Sequence, residues 1–181
     1  MDKKNGNWTI KDSKVIYEND FFSLREDRVI QPDGADGSYA VIEYRQGVAV
    51  LPIDDENNVY LTKQFRYALC RENTEAIAGA LDENEEPEAA ARREAREELG
   101  IEADEWTPLG AIEKDTSIAI SRTHLFAARG LSFGEPEQEG TEEIETVKMK
   151  FAEAIEKINS GAITHAETCV LILKAKETFR F

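Results

Sequence analysis

Residues 79–101 read Gly79-Ala80-Leu81-Asp82-Glu83-Asn84-Glu85-Glu86-Pro87-Glu88-Ala89-Ala90-Ala91-Arg92-Arg93-Glu94-Ala95-Arg96-Glu97-Glu98-Leu99-Gly100-Ile101. Within them Pro87 to Leu99 carries the strongest helix signal of the chain. Proline suits the first helical turn, where its missing N–H is no loss, and Gly100 suits the left-handed position just past the end. Ala91, Ala95 and Leu99 recur at four-residue spacing, a narrow stripe of small apolar residues that should pack closely on a sheet.

The acids of this helix stand where stability alone would not put them. Glu94, Glu97 and Glu98 are related as i, i+3 and i+4, so they share one face. They lie in the last two turns, where the helix dipole is negative and favours cations. Each misplaced carboxylate costs about 0.3–1 kcal/mol, and each like-charged neighbour pair about 0.2–0.5 kcal/mol more. Two readings meet this pattern. Arg93 can pair with Glu97 at i+4, with Arg96 close by, leaving an ordinary solvated salt-bridge face. Alternatively a divalent cation supplies the missing positive charge. Magnesium takes oxygen ligands, commonly one or two carboxylates beside a substrate phosphate.

Working outward, 181 residues are enough for one domain with a real core and a small annex. The net charge of −15 argues against nucleic acid as a partner, because phosphate backbones need a basic footprint. An anionic substrate would need cations to join it to so acidic a chain; the plainer reading is that surplus acid keeps the protein soluble. No apolar run is long enough to span a membrane. The first residues, Met1-Asp2-Lys3-Lys4-Asn5-Gly6-Asn7, lack the apolar stretch of a secretory signal. Cys70 and Cys169 make no disulfide framework and no CxxC pair, so a reduced, cytoplasmic setting is expected.

Residues 8–17 and 21–31 read as two strands around Glu18-Asn19-Asp20, followed by the turn cluster Pro32-Asp33-Gly34-Ala35-Asp36-Gly37. Residues 1–38 are taken as an antiparallel β-annex and residues 39–181 as the main domain. Strands are expected at 38–45, 47–53, 58–64, 106–113, 123–128 and 143–150, with Val48, Val50 and Leu51 in the core. Helices are expected at 151–159 and 167–178, the second with Val170, Leu171 and Leu173 inward. Strands mixed with helices in this order indicate an α+β or α/β sandwich.

The quoted segment resembles the Nudix box, G-x5-E-x7-R-E-U-x-E-E-x-G-U, where U is aliphatic. All seven fixed letters match, at Gly79, Glu85, Arg93, Glu94, Glu97, Glu98 and Gly100. Ala95 is small for its aliphatic position, and Ile101 fits well. The resemblance implies an α+β fold, an α/β/α sandwich around a mixed sheet, with the loop–helix–loop seated on it. It implies Glu94, Glu97 and Glu98 as ligands of Mg2+, with Mn2+ as substitute, Glu94 and Glu98 being the direct ones. The carbonyl near Ala78 would complete the shell, Gly79 would let backbone approach the metal, and Arg93 braced by Glu85 would orient the glutamates. The implied activity is hydrolysis of the diphosphate in a nucleoside diphosphate derivative. A general base would come from a loop outside the box; in the acidic stretch 137–145 the candidates are Glu142, then Glu143, the alternative being an ordinary surface loop.

Flanking residues resemble the ADP-ribose pyrophosphatase branch of that family. Gln64-Phe65-Arg66 precedes the box, Glu75 stands four residues before Gly79, and His124-Leu125-Phe126-Ala127 resembles the strand after it. By this analogy Arg66 would meet the diphosphate and Glu75 the substrate or a further metal-bound water. The annex would help to build a homodimer, and Tyr17, Phe21 or Phe22 would stack on a base unless they are plain core. Two departures stand out: Ile77 and Thr116 occupy positions where the branch carries prolines, the second being its usual mark of ADP-ribose preference. GDP-mannose, other nucleotide sugars and dinucleotides therefore remain open as substrates. A regulatory module that senses a nucleotide, or an interaction protein with an acidic face, is the competing class; the intact glutamate set speaks for catalysis.

Overall fold

The structure is a computed structural model that describes residues 2–138, 140 and 143–181. In chain order the elements are β1 (Lys3–Asn5), β2 (Trp8–Glu18), β3 (Phe22–Ile30), β4 (Asp36–Tyr44), β5 (Gly47–Pro52), β6 (Asn58–Arg66), β7 (Arg71–Glu75) and β8 (Ile77–Ala80). There follow α1 (Pro87–Leu99), β9 (Ile101–Glu113), β10 (Ala119–Ile120), β11 (Arg122–Phe133), β12 (Glu145–Lys150), α2 (Phe151–Asn159) and α3 (Ala166–Phe179). Two compact units emerge, Gln46–Ile112 with Thr123–Phe181 and Met1–Arg45 with Glu113–Arg122.

The larger unit is built about β5. This strand pairs antiparallel with β8 and parallel with β11, a mixed arrangement completed by β9 at the edge. Alternate side chains of a strand point to opposite faces, so β5 serves two cores. Val48 and Val50 join Ala90, Ala91, Ala95 and Leu99 of α1 in one cluster. Ala49 and Leu51 join Phe151 and Ala154 of α2 and Leu171, Ile172 and Ala175 of α3 in the other. The expected small-residue stripe of α1 is thus what lets the helix lie close against the sheet. A further sheet, in the order β12-β6-β7, completes the unit. This is the α+β sandwich expected from the sequence.

Helix α1 runs over the expected residues. Pro87 opens it after an extended Glu86, and Gly100 closes it at φ 62° with its N–H directed to the carbonyls of Ala95 and Arg96. Elsewhere the structure corrects the sequence reading. Strand β9 begins at Ile101 rather than residue 106, and β11 runs from Arg122 to Phe133 rather than 123–128. Strands β7 and β8 fall outside the strands expected from the sequence. Leu173, expected inward, is 45% exposed, and Ile172 takes the buried place beside Leu171.

The smaller unit is a sheet in the order β1-β2-β3-β4-β10. The β2–β3 turn is held by Asn19 Oδ1, which accepts the N–H groups of Phe21 and Phe22 at 2.9 and 3.0 Å. It takes in more than residues 1–38, because β4 stays paired with β3 as far as Tyr44 and β10 adds in parallel. The Tyr39 hydroxyl donates to the Ser117 carbonyl, tying residues 113–122 to this sheet. Tyr17 and Phe21 are exposed rather than core, while Phe22 lies between the rings of Tyr17 and Tyr44. Among the described residues no helix is long and apolar enough to cross a membrane.

Candidate active site

Strand β8 and helix α1 place the residues of the quoted segment together. Arg93 stands at the centre. Its Nε donates to Glu85 Oε1 and its Nη2 to Glu85 Oε2, both at 3.0 Å. Nη2 also donates to the Ala80 carbonyl at 3.0 Å, and Nη1 to Glu94 Oε1 at 2.7 Å and Glu97 Oε2 at 2.9 Å. A guanidinium has five N–H donors, and each is used. The bonds to Glu85, then the charge of Glu94, outweigh burial and hold the Arg93 pKa above its ordinary value, so the cation is permanent. The i+4 pair with Glu97 does form, but as one bond of a larger brace and not as a solvated face. Arg96 lies further out, with Nε 3.9 Å from Glu137 Oε2.

Glu94 lies against the bare backbone of Gly79. A methyl group placed on that glycine would stand 2.0 Å from the Glu94 carboxyl carbon and Oε1, and 2.4 Å from Oε2. The absence of a side chain at residue 79 is therefore what admits the carboxylate. Glu98 is 5% exposed. Its Oε1 accepts from the Ala78 N–H at 3.4 Å, a long bond, and its Oε2 accepts no hydrogen bond among the described residues. Glu94, Glu97, Glu98, Ala78 and Gly79 are thus brought to one place, with Glu85 and Arg93 behind them.

Glu94 and Glu97 accept from Arg93, whereas Glu98 accepts from the Ala78 N–H. Among the described residues no group of three or more His, Cys, Asp or Glu side chains stands arranged to hold a metal ion. The donor set itself suits a hard divalent cation. It offers only oxygens, from carboxylates on one helix face and from a strand whose glycine lets a ligand near the backbone.

The far end of α1 is covered by residues 134–138. Gly134 N–H donates to the Gly100 carbonyl at 2.7 Å, and Glu137 N–H to that of Glu97 at 2.9 Å. Gln138 Nε2 donates to the Glu98 carbonyl at 3.0 Å and to that of Ile144 at 3.2 Å. The bonds to Glu97 and Glu98 satisfy carbonyls that a helix end leaves without intrahelical partners. The acidic stretch 137–145 begins here in the sequence. There Glu143 is exposed, whereas Glu142 and Glu139 lie outside the described residues.

Arg66 and Glu75 pair with each other. Arg66 Nε and Nη2 donate to Glu75 Oε1 at 3.1 Å and Oε2 at 2.6 Å, and Asn73 Nδ2 donates to Oε1 at 2.8 Å. Burial raises the Glu75 pKa. The hydrogen bonds from Arg66 and Asn73, helped by His165, outweigh it and hold the carboxyl below the ordinary 4.5. Asn73 and His165 were not singled out from the sequence, since neither lies in a motif. Ile77 is fully buried in β8 opposite Val50. Thr116 lines a cavity of about 300 Å³ in the smaller unit, with Trp8, Arg25, Asp27 and Tyr39. Trp8 and Tyr39 meet there edge to face at 5.5 Å.

Fold and site together define an α+β pyrophosphohydrolase of the Nudix type. The chain belongs to the Nudix family: the NUDIX domain model matches residues 43–168. A second model, the nucleoside diphosphate sugar hydrolase N-terminal domain, matches residues 8–42. An ADP-ribose pyrophosphatase of Bacillus subtilis (strain 168) is 31% identical over 169 residues, covering 91% of this chain and 91% of its own. A GDP-mannose pyrophosphatase of Cronobacter sakazakii is 33% identical over 177 residues, covering 90% of this chain and 91% of its own. A crystal structure of an ADP compounds hydrolase shares the fold, with a TM-score of 0.87 at 19% identity over 98% of this chain and 97% of that one.

Proposed function

We propose that the protein hydrolyses the diphosphate of a nucleoside diphosphate sugar, ADP-ribose or a related compound, in a Mg2+-dependent reaction. The products are a nucleoside monophosphate and a sugar phosphate. The observation that carries this reading is the Glu94 carboxylate seated on the open face of Gly79 and braced by Arg93. The two family matches and the relatives that act on ADP-ribose and GDP-mannose support the substrate class.

Glu94, Glu97 and Glu98, with the Ala78 carbonyl, would hold Mg2+, or Mn2+ in its place. Such an ion, when bound, neutralises the diphosphate and lowers the pKa of water. Arg93, braced by Glu85, holds Glu94 and Glu97 together against their mutual repulsion. Arg66 offers the diphosphate a positive charge, and Glu75 fixes the guanidinium that offers it. A carboxylate of the acidic loop, Glu142 or Glu143, would take the proton of the attacking water. The exposed Val15, Ile16, Tyr17 and Phe21 support a homodimer, and the two free cysteines accord with a cytoplasmic setting.

The test is a panel of ADP-ribose, GDP-mannose and a dinucleotide, each with Mg2+ or with chelator, followed by released phosphomonoester. Turnover of a nucleotide sugar that stops on chelation is expected. No turnover of any member, or turnover indifferent to chelation, would refute the proposal.

A further inference from the structure

Behind Arg66 and Glu75 lies a buried polar network that the family motif does not include. His165, the residue before α3, is its hub. His165 Nε2 lies 2.5 Å from Glu167 Oε2, and Nδ1 lies 2.9 Å from Thr168 Oγ1 and 3.7 Å from Glu75 Oε2. Glu167 Oε1 already accepts from Thr123 Oγ1 at 2.9 Å, so Glu167 stands as the acceptor and His165 Nε2 donates to it. Thr168 Oγ1 in turn accepts the Ala76 N–H at 2.8 Å, and Thr62 Oγ1 donates to the Glu75 carbonyl at 3.2 Å. Glu75, Glu167, Thr62, Thr123 and Thr168 are all buried.

Burying two carboxylates beside one imidazole is costly, and the hydrogen bonds that satisfy them offset that cost only in one well-defined geometry. What this network fixes is the turn between β7 and β8. Glu75 is held by its side chain and carbonyl, and Ala76 by its N–H. Next in sequence come Ile77, Ala78 and Gly79, the strand on which Glu94 rests. Glu75 also orients the Arg66 guanidinium through two parallel bonds, an arrangement that fixes both distance and plane.

The geometry points to His165 as a positioning residue: anchored on Glu167, it sets Glu75 and Ala76, and through Glu75 it aims Arg66 at the substrate diphosphate. This rests on the reading of Arg66 as substrate-facing. A role confined to stability would lower the fraction of active protein and leave KM alone. Positioning a binding arginine acts on KM.

The experiment compares wild type with His165→Ala, His165→Gln and His165→Asn, each also combined with Arg66→Ala, in full-length protein. Kinetics are measured on ADP-ribose and GDP-mannose, and amide hydrogen exchange over residues 74–79 is read in parallel. His165→Ala is expected to raise KM about tenfold with kcat within about threefold, and to add nothing in the Arg66→Ala background. Glutamine, whose amide N–H can replace Nε2 toward Glu167, should restore KM, whereas the shorter asparagine should not. That glutamine–asparagine contrast decides the matter if His165→Ala fails to fold. Unchanged KM in all variants, or equal KM for glutamine and asparagine, would overturn the inference. If wild type turns over no nucleotide sugar, the functional proposal fails by itself. Exchange at Ala76 then tests His165: faster exchange in His165→Asn than in His165→Gln upholds its hold on the turn, and equal exchange overturns it.

Discussion

Arg93 and Glu85 are joined by two parallel hydrogen bonds of 3.0 Å, Nε to Oε1 and Nη2 to Oε2, across eight residues of chain. The pair ties the loop before α1 to the middle of the helix, and it leaves the remaining donors of Arg93 for Ala80, Glu94 and Glu97. Lysine has three donors on one point charge and cannot make this set. Arg93→Lys and Arg93→Ala should both lower unfolding free energy, the alanine by about 2–3 kcal/mol, and both should lose most of their activity. Urea denaturation and steady-state kinetics check this; retention of both properties would remove the bracing role.

Gly79→Ala separates chemistry from folding. The nearest atoms to the added methyl belong to the far end of the Glu94 side chain, which can swing aside, so the cost in stability should stay below about 1 kcal/mol. The carboxylate would still be displaced from the strand. Turnover should fall at least about tenfold, for lack of an oxygen where positive charge is to be held. Thermal melts and kcat report the two quantities separately.

Glu98→Gln tests the buried carboxylate. Glutamine keeps an oxygen to accept from Ala78 N–H and removes one negative charge from a crowded helix end. Activity should fall by about two orders of magnitude or more, while Tm stays level or rises slightly. Near-native turnover would count against a role for this glutamate.

Glu75 should leave a mark on acid stability. Its folded pKa lies below the ordinary 4.5, so its stabilising contribution is fully present above that value. It is lost as pH falls through the lower folded pKa. The stability difference between wild type and Glu75→Gln should therefore be widest above pH 4.5 and shrink below it. Denaturant midpoints taken across that range would show it. A difference that grows toward acid would mean that the shift has the opposite sign.

The parts of this architecture legible in the sequence are those specified locally. Helix α1 could be bounded because Pro87 and Gly100 mark its ends and Ala91, Ala95 and Leu99 its packed side. Its acids were conspicuous for standing at the wrong pole of a dipole. Strand β7, Arg71-Glu72-Asn73-Thr74-Glu75, has no apolar alternation and is a strand only because β6 pairs with it. The first residues of β9, Ile101-Glu102-Ala103-Asp104-Glu105, likewise carry little apolar pattern. Leu173 misled because four apolar residues in a row, Val170 to Leu173, do not say which of them faces in. The His165 network was invisible for a different reason: β6, β7, β11 and α3 each supply a member or two, and only the fold assembles them.

The proposed function requires that the negative face of α1, set against Gly79, bind a divalent cation. Calorimetric titration of Mn2+ into wild type, Glu94→Gln and Glu98→Gln measures this without reference to any substrate. Uptake by wild type that is lost or greatly weakened in both variants is the predicted result. Absence of uptake by wild type, or equal uptake by all three proteins, would contradict the account.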